Sequence, residues 1–137
     1  MFAASLIAIP LISVVAAQQV HEVIVGGAAP NQISYQPYAL SAAIGDIVRF
    51  TFKQKNHTVT QTSFANVCHP LLDEYTQKPV VDSGFQPVAA DQTSEFPTWN
   101  YTVTTTEPVW MYCRQTGHCG QGKLNNARTS DRLLTAF

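Results

Sequence analysis

The feature that most constrains the fold is a period-two alternation of apolar and polar side chains in several short segments. Residues 48–53, 99–104 and 109–114 all show it, with apolar side chains at every second position. Successive side chains of a β-strand point to opposite faces, so this alternation predicts strands with one buried face and one solvated face. Residues 21–25 and 58–62 add two runs rich in β-branched side chains, which also favour strands.

Proline and glycine separate these runs, and no segment carries a helical apolar stripe of useful length. Several short strands at roughly regular spacing predict an all-β Greek-key sandwich or barrel. Residues 64–95 are less regular and are expected to form a long loop with one helical turn. The length of 137 residues fits one domain.

Composition and charge exclude some classes of protein. Charged residues make up only 12% and the net charge is -1, with no basic stripe, so no nucleic-acid partner is expected. The three cysteines are too few for a small protein built on a disulfide framework. Their odd number means that at least one is a free thiol, a metal ligand or bonded to another molecule.

The first seventeen residues are expected to be a signal peptide. Residues 2–17 carry no charge and are apolar apart from Ser5 and Ser13, a stretch short for a membrane span. Cleavage after Ala17 would give a secreted chain without a transmembrane segment; the alternative is a buried first strand or helix. The sequons at Asn56 and Asn100 agree with secretion, and Asn100 is expected to carry a glycan more often than Asn56.

One group of residues carries metal-binding chemistry. His57 follows an alternating strand, and far downstream Cys113 and His118 are separated by four residues that include Gly117. A thiolate with two imidazoles suits copper, whose reduced form prefers sulfur and whose oxidised form accepts nitrogen. Zinc would lack a fourth ligand. His21 and His69 belong to no such pattern and are expected at the surface, although an N-terminal His21 ligand after cleavage at Val20 is an alternative.

Three motifs together resemble the fungal plastocyanin-like cupredoxins, blue copper proteins related to the plant phytocyanins. They are Gly45-Asp46-x-Val48-x-Phe50-x-Phe52, Asn56-His57-Thr58-Val59-Thr60-Gln61 and Tyr112-Cys113-x4-His118-Cys119, with looser matches at 82–85 and 104–110. The resemblance covers about residues 23–122. It implies an all-β Greek-key sandwich of the cupredoxin type and a type 1 copper site with His57, Cys113 and His118 as ligands.

The same resemblance implies a disulfide between Cys68 and Cys119, which leaves Cys113 as the unpaired thiol. Two alternatives remain at this point. Cys113 can be a buried free thiol without a metal, or it can pair with one of the other two cysteines, which would destroy the site.

The sequence departs from the family at the axial position, where a Met or Gln is usual and Lys123 stands here. A protonated lysine has no lone pair for a metal, and Gln121 would serve only if the loop shifts by two residues. Residues 18–122 are therefore predicted as the cupredoxin domain and 123–137 as a divergent polar tail. A weakened or three-ligand site and a short or missing final strand are expected. A misread exon boundary would produce the same tail.

The predicted function is one-electron transfer or copper binding rather than catalysis. A strand-held site of this kind changes little between copper oxidation states, which suits electron transfer. The chain has no His-x-His pairs of the kind multicopper oxidases need, and its four histidines are too few for copper-zinc superoxide dismutase. The expected partner is an unidentified redox protein or a cell-wall component. The alternative is a metal-free extracellular interaction module that keeps the fold.

Overall fold

The computed structural model describes residues 17–27, 33–119 and 133–136, and within these residues the fold is all-β with no helix. The strands are β1 (Val20–Val25), β2 (Tyr35–Gln36), β3 (Ala39–Ser41), β4 (Ile47–Phe52), β5 (Lys55–His57), β6 (Thr60–Thr62), β7 (Gln86–Val88), β8 (Thr98–Thr102), β9 (Val109–Tyr112) and β10 (Leu133–Ala136). They form two four-stranded sheets and a two-stranded ribbon, which confirms the predicted all-β sandwich.

The first sheet has the order β2-β1-β4-β8. β1 runs parallel to β4, while β2 and β8 pair antiparallel with β1 and β4. Alternation fixes the register of these strands: Val23 lies opposite Phe50, and Val25 lies opposite Phe52, with all four side chains buried. A slip of one residue would turn this apolar set toward water, so the period-two pattern specifies the pairing.

The second sheet has the order β3-β10-β9-β6. β10 lies between β3 and β9, antiparallel to the first and parallel to the second. The final strand is therefore present and short, four residues long, and it lies inside the segment 123–137, which is predicted as a divergent polar tail. β9 is consequently paired on both sides, by β10 and β6.

The core fills the space between the sheets, and one side chain of β9 departs from the predicted alternation. Val109 and Met111 are buried as expected, but Tyr112 is buried as well. The connection formed by residues 63–85 runs along this outer face of β6 and β9, where Thr60, which lies opposite Tyr112, donates to Asp82. Phe64 from this connection stacks on Trp110, with 5.1 Å between ring centroids.

The irregular region 64–95 contains the expected turn, at residues 73–77. There the backbone N–H of Gln77 donates to the carbonyl of Asp73 at 2.9 Å, and the Asp73 carboxylate accepts from the backbone N–H groups of Tyr75 and Thr76. In addition, β7 interrupts the loop and pairs antiparallel with β5, placing Gln86 opposite His57. This ribbon fixes the backbone of the first candidate metal ligand.

Candidate metal centre

Three segments bring the predicted ligands together at one end of the sandwich. His57 is the last residue of β5, Cys113 directly follows β9, and His118 lies five residues further along the chain. His57 and Cys113 are buried, whereas His118 is half-buried. One candidate ligand atom from each residue can be chosen so that all three lie within 4.8 Å of one another. The structure therefore assembles the constellation that the sequence motifs predict.

The sulfur of Cys113 lies between the two imidazoles. Its Sγ is 3.7 Å from Nδ1 of His57 and 3.6 Å from Nδ1 of His118. The two imidazole rings are 4.7 Å apart between centroids and inclined by 44°. Both Nδ1 atoms therefore lie next to the thiol.

The environment keeps both imidazoles neutral. Burial, followed by the nearby charges of His118 and Lys55, lowers the pKa of His57 to about 4. Burial and the charge of Lys55 also lower the pKa of His118. A neutral imidazole retains the lone pair that a metal requires, so both rings are ligand-competent at neutral pH.

Thr58 holds the two ligand segments against each other, a role that sequence reasoning did not assign. Its backbone N–H donates to Sγ of Cys113 at 3.3 Å, and its Oγ1 accepts from the backbone N–H of Arg114 at 3.0 Å. The hydroxyl of Tyr35 donates to the backbone carbonyl of Thr58 at 2.6 Å. In the sequence, Thr58 directly follows His57 and begins an alternation of threonines at positions 58, 60 and 62, which is the signal that was available. The structure buries all three of these side chains.

The loop that carries His118 is closed locally and anchored at its end. The N–H of His118 donates to the carbonyl of Gln115 at 3.0 Å, and Gly117 adopts φ of +78°, in the left-handed region that favours glycine. A disulfide joins Cys119 to Cys68 in the covering connection, with 5.7 Å between Cα atoms. Cys113 is free and buried, which is the thiol arrangement that the family resemblance implies.

The remaining histidines lie outside this centre. His69 is exposed, and its Nδ1 lies 3.2 Å from the carbonyl of Val67. His21 was expected at the surface but is half-buried, and its Nε2 lies 2.9 Å from Oδ2 of Asp46. The axial candidates Lys123 and Gln121 lie outside the described residues, and the axial position stays a prediction.

The two sequons differ in their surroundings. Asn100 lies exposed on β8, where its neighbours Trp99 and Tyr101 turn toward the core. Asn56 is half-buried in β5, and its Oδ1 is buried without a hydrogen-bond partner among the described residues. No glycan is part of the structure, so the preference for Asn100 stays a prediction.

The donor set is chemically suited to copper. Two neutral imidazoles and one cysteine sulfur form the soft and borderline combination found at blue copper sites. Structural zinc sites need four ligands, and the cluster of candidate ligands found in the described ranges has three members. The residues present therefore fit copper better than structural zinc.

Comparison with known proteins identifies a distant relative. The chain is 26% identical over 107 residues to a protein of the fungus Arthroderma benhamiae named "Probable GPI-anchored cupredoxin-1". The match covers 77% of this chain and 50% of the relative, so the chain spans about half the length of the curated relative it matches. No family model matches, and no solved structure matches.

The fold, the site and this relative agree with one another. The all-β architecture is that of a cupredoxin-like β-sandwich, and the His57–Cys113–His118 cluster fits a cupredoxin-like copper site. Among the described residues, no helix is long and apolar enough to cross a membrane.

Proposed function

We propose that this chain is a secreted plastocyanin-like cupredoxin that holds copper with His57, Cys113 and His118 and carries single electrons. The observation that carries the proposal is the Cys113 sulfur lying 3.7 Å and 3.6 Å from two imidazole Nδ1 atoms. Both imidazoles have a lowered pKa. When bound, copper would supply one-electron redox chemistry.

The protein's own contribution is to fix the ligands and exclude water. His57 is held in the β5–β7 ribbon, and Cys113 is held by its place after β9 and by the N–H of Thr58. The disulfide at Cys119 anchors the residue next to His118. Ligands fixed in this way cannot rearrange much between oxidation states, which lowers the barrier to electron transfer.

His118 is the ligand through which electrons would enter and leave. The other two ligands are buried, whereas the imidazole of His118 is half-buried at the surface. A redox partner would therefore approach the sandwich at this end. The proposed role is that of an electron carrier or copper-binding protein rather than a catalyst, as the distant cupredoxin relative suggests.

The proposed location is extracellular, in keeping with the predicted signal peptide and with the description of the relative as GPI-anchored. The partner would be a redox protein or a cell-wall component.

The experiment is titration of purified metal-free protein with Cu(II), followed by elemental analysis and visible spectroscopy. We expect one copper per chain and an intense absorption band from the cysteine sulfur, both lost in Cys113→Ser. His69→Ala is the matched histidine control and should behave as wild type, whereas His118→Ala should bind weakly. Protein that stays colourless and retains no copper would overturn the proposal and support a metal-free interaction module.

A further inference from the structure

A chain of buried hydroxyl groups connects the metal centre to a carboxylate outside it. Oγ1 of Thr58 lies 2.8 Å from Oγ1 of Thr60, and Oγ1 of Thr60 donates to Oδ1 of Asp82 at 2.8 Å. The residues at the two ends of this chain are far apart in the sequence: Thr58 follows a candidate ligand, and Asp82 lies in the connection 63–85. Both threonines are fully buried, whereas the side chain of Asp82 is 18% exposed.

The carboxylate fixes the direction of every hydrogen bond in this chain. An ionised carboxylate only accepts, so the hydroxyl hydrogen of Thr60 points to Asp82. The hydroxyl oxygen of Thr60 must then accept from the hydroxyl of Thr58, so the hydroxyl hydrogen of Thr58 is directed at Thr60. The oxygen of Thr58 is left with a lone pair for the backbone N–H of Arg114, 3.0 Å away. The reverse direction would leave the buried hydroxyl hydrogen of Thr58 without an acceptor, which is costly.

Asp82 is itself held in place by groups on both sides. Its Oδ1 also accepts from the N–H of Gly84 at 3.1 Å, and its Oδ2 pairs with Nη2 of Arg114 at 2.8 Å. The guanidinium of Arg114 lies over the ring of Phe85, 4.9 Å from its centroid. One carboxylate therefore contacts the covering connection, β6 and the residue next to Cys113.

We propose that Asp82 is a positioning residue for the metal centre, acting through Thr60 and Thr58 on the Cys113 sulfur. By orienting the Thr58 hydroxyl, Asp82 ties Thr58 to Arg114 and so holds the Thr58 N–H at 3.3 Å from Sγ. This inference deepens the proposed function and rests on it for the role of Cys113 as a ligand. The hydrogen-bond relay itself concerns only groups of the protein.

The test measures amide hydrogen exchange at Thr58 and Arg114 in metal-free protein. Asp82→Ala removes the acceptor, and Thr60→Val removes the middle hydroxyl while leaving the ion pair of Asp82 with Arg114. We expect both variants to speed exchange at the two amides roughly tenfold, the scale of one lost hydrogen bond. Asp82→Asn keeps an amide oxygen for Thr60 and should restore nearly wild-type exchange.

Two further variants separate the relay from its surroundings. Arg114→Gln breaks the ion pair but keeps the relay and the backbone N–H, so exchange at Thr58 should stay near wild type. Asp73→Ala is the matched control, because it removes another acid of the same connection, one whose carboxylate accepts from its own local turn. If Arg114→Gln reproduces Asp82→Ala while Thr60→Val has no effect, the ion pair and not the relay positions the site, and the proposal is wrong.

Copper-loaded protein gives the second readout. The absorption band of the cysteine sulfur should shift in Asp82→Ala and Thr60→Val and return in Asp82→Asn. If the protein binds no copper, the proposed function fails while the exchange experiment still decides on the relay. If copper binds but the band and the exchange are unchanged in both variants, the proposed function stands and the role of Asp82 is refuted.

Discussion

The backbone of Gly26 packs directly against the imidazole of His57. A Cβ built on Gly26 would lie 2.8 Å from Nε2 and 3.2 Å from Cδ2 of that ring, and 3.1 Å from the carbonyl oxygen of Gln54. Gly26 also adopts φ of +85°, in the region that favours glycine. Gly26, which directly follows β1, therefore restricts the position of the His57 ring, a buried candidate ligand.

Gly26→Ala is expected to destabilise the protein and displace His57. The methyl group must push either a buried ring or backbone, which costs about 1–3 kcal/mol by overpacking, and the φ angle adds about 1–2 kcal/mol. Urea unfolding measures the total, and copper affinity measures the displacement of the ligand.

Gly45→Ala is the control for this prediction, because Gly45 has a similar φ of +92° but no atom within 4 Å of an added Cβ. Gly45→Ala should lose only the stability that the positive φ angle costs, and its copper affinity should be normal. Equal losses in the two variants would mean that contact with His57 is unimportant.

Removal of the disulfide is expected to lower stability while leaving the Cys113 thiol in place. Cys68 and Cys119 are 51 residues apart, and closing such a loop stabilises by about 4 kcal/mol in the chain-entropy model. The double variant Cys68→Ala/Cys119→Ala should therefore unfold at clearly lower denaturant concentration.

The thiol count gives the control for the same variant. Unfolded wild type without reductant should show one reactive thiol, assigned to Cys113 by peptide mapping, and the double variant should show the same. A disulfide containing Cys113 in freshly folded protein, or an unchanged unfolding midpoint, would contradict the account.

Stability is expected to fall in acid partly because of Asp46. Hydrogen bonds from His21 and from the backbone N–H groups of Gln19 and Ala43 lower its pKa from 3.8 to about 2. A carboxylate whose pKa is lower in the folded state stabilises the fold when the pH is above its pKa in the unfolded state. This contribution is lost as the pH falls from about 4 to about 2.

Unfolding measurements between pH 7 and pH 2 test this prediction. Asp46→Asn should be less stable than wild type at pH 7 and should approach it at pH 2. Glu22→Gln is the control, because Glu22 is an exposed acid whose ion pair with Arg49 should matter little. Parallel pH profiles for wild type and Asp46→Asn would show that this carboxylate is not responsible.

Glycosylation is expected more often at Asn100 than at Asn56 when the chain passes through a eukaryotic secretory pathway. Asn100 is exposed on β8, whereas Asn56 is half-buried beside His57 with its Oδ1 enclosed. Peptide mapping should find the glycan on Asn100, and Asn100→Gln should remove it. Full occupancy of Asn56 in copper-loaded protein would contradict this prediction.

The sequence was most informative where one face of a strand is buried. Val48, Phe50 and Phe52 are all buried, as their alternation predicts. The alternation can be recognised in the sequence because polar residues occupy the other face of the strand. The alternation predicted a solvated Tyr112, which was wrong. The connection 63–85 runs along that face of the sheet, and no pattern near Tyr112 in the sequence indicates this. The clustering of His57, Cys113 and His118 could be predicted because the motifs that contain them are specific in combination.

The supporting groups could not be predicted in the same way. Asp82 contacts Thr60, and Gly26 contacts His57. The members of each pair are far apart in the sequence, so no local pattern predicts that they meet. Tyr35 likewise reaches the carbonyl of Thr58 from a two-residue strand that no alternation marks. Placing such groups requires the packing of the sheets, whereas the ligand motifs can be identified along the chain.

X-ray absorption spectroscopy of the copper-loaded protein, in its oxidised and reduced states, tests the central claim most directly. We expect one sulfur and two nitrogen ligands in both states, with little change in their distances, and loss of the sulfur in Cys113→Ser. A copper environment without sulfur, or one whose ligand set changes on reduction, would contradict a rigid electron-transfer site built from His57, Cys113 and His118.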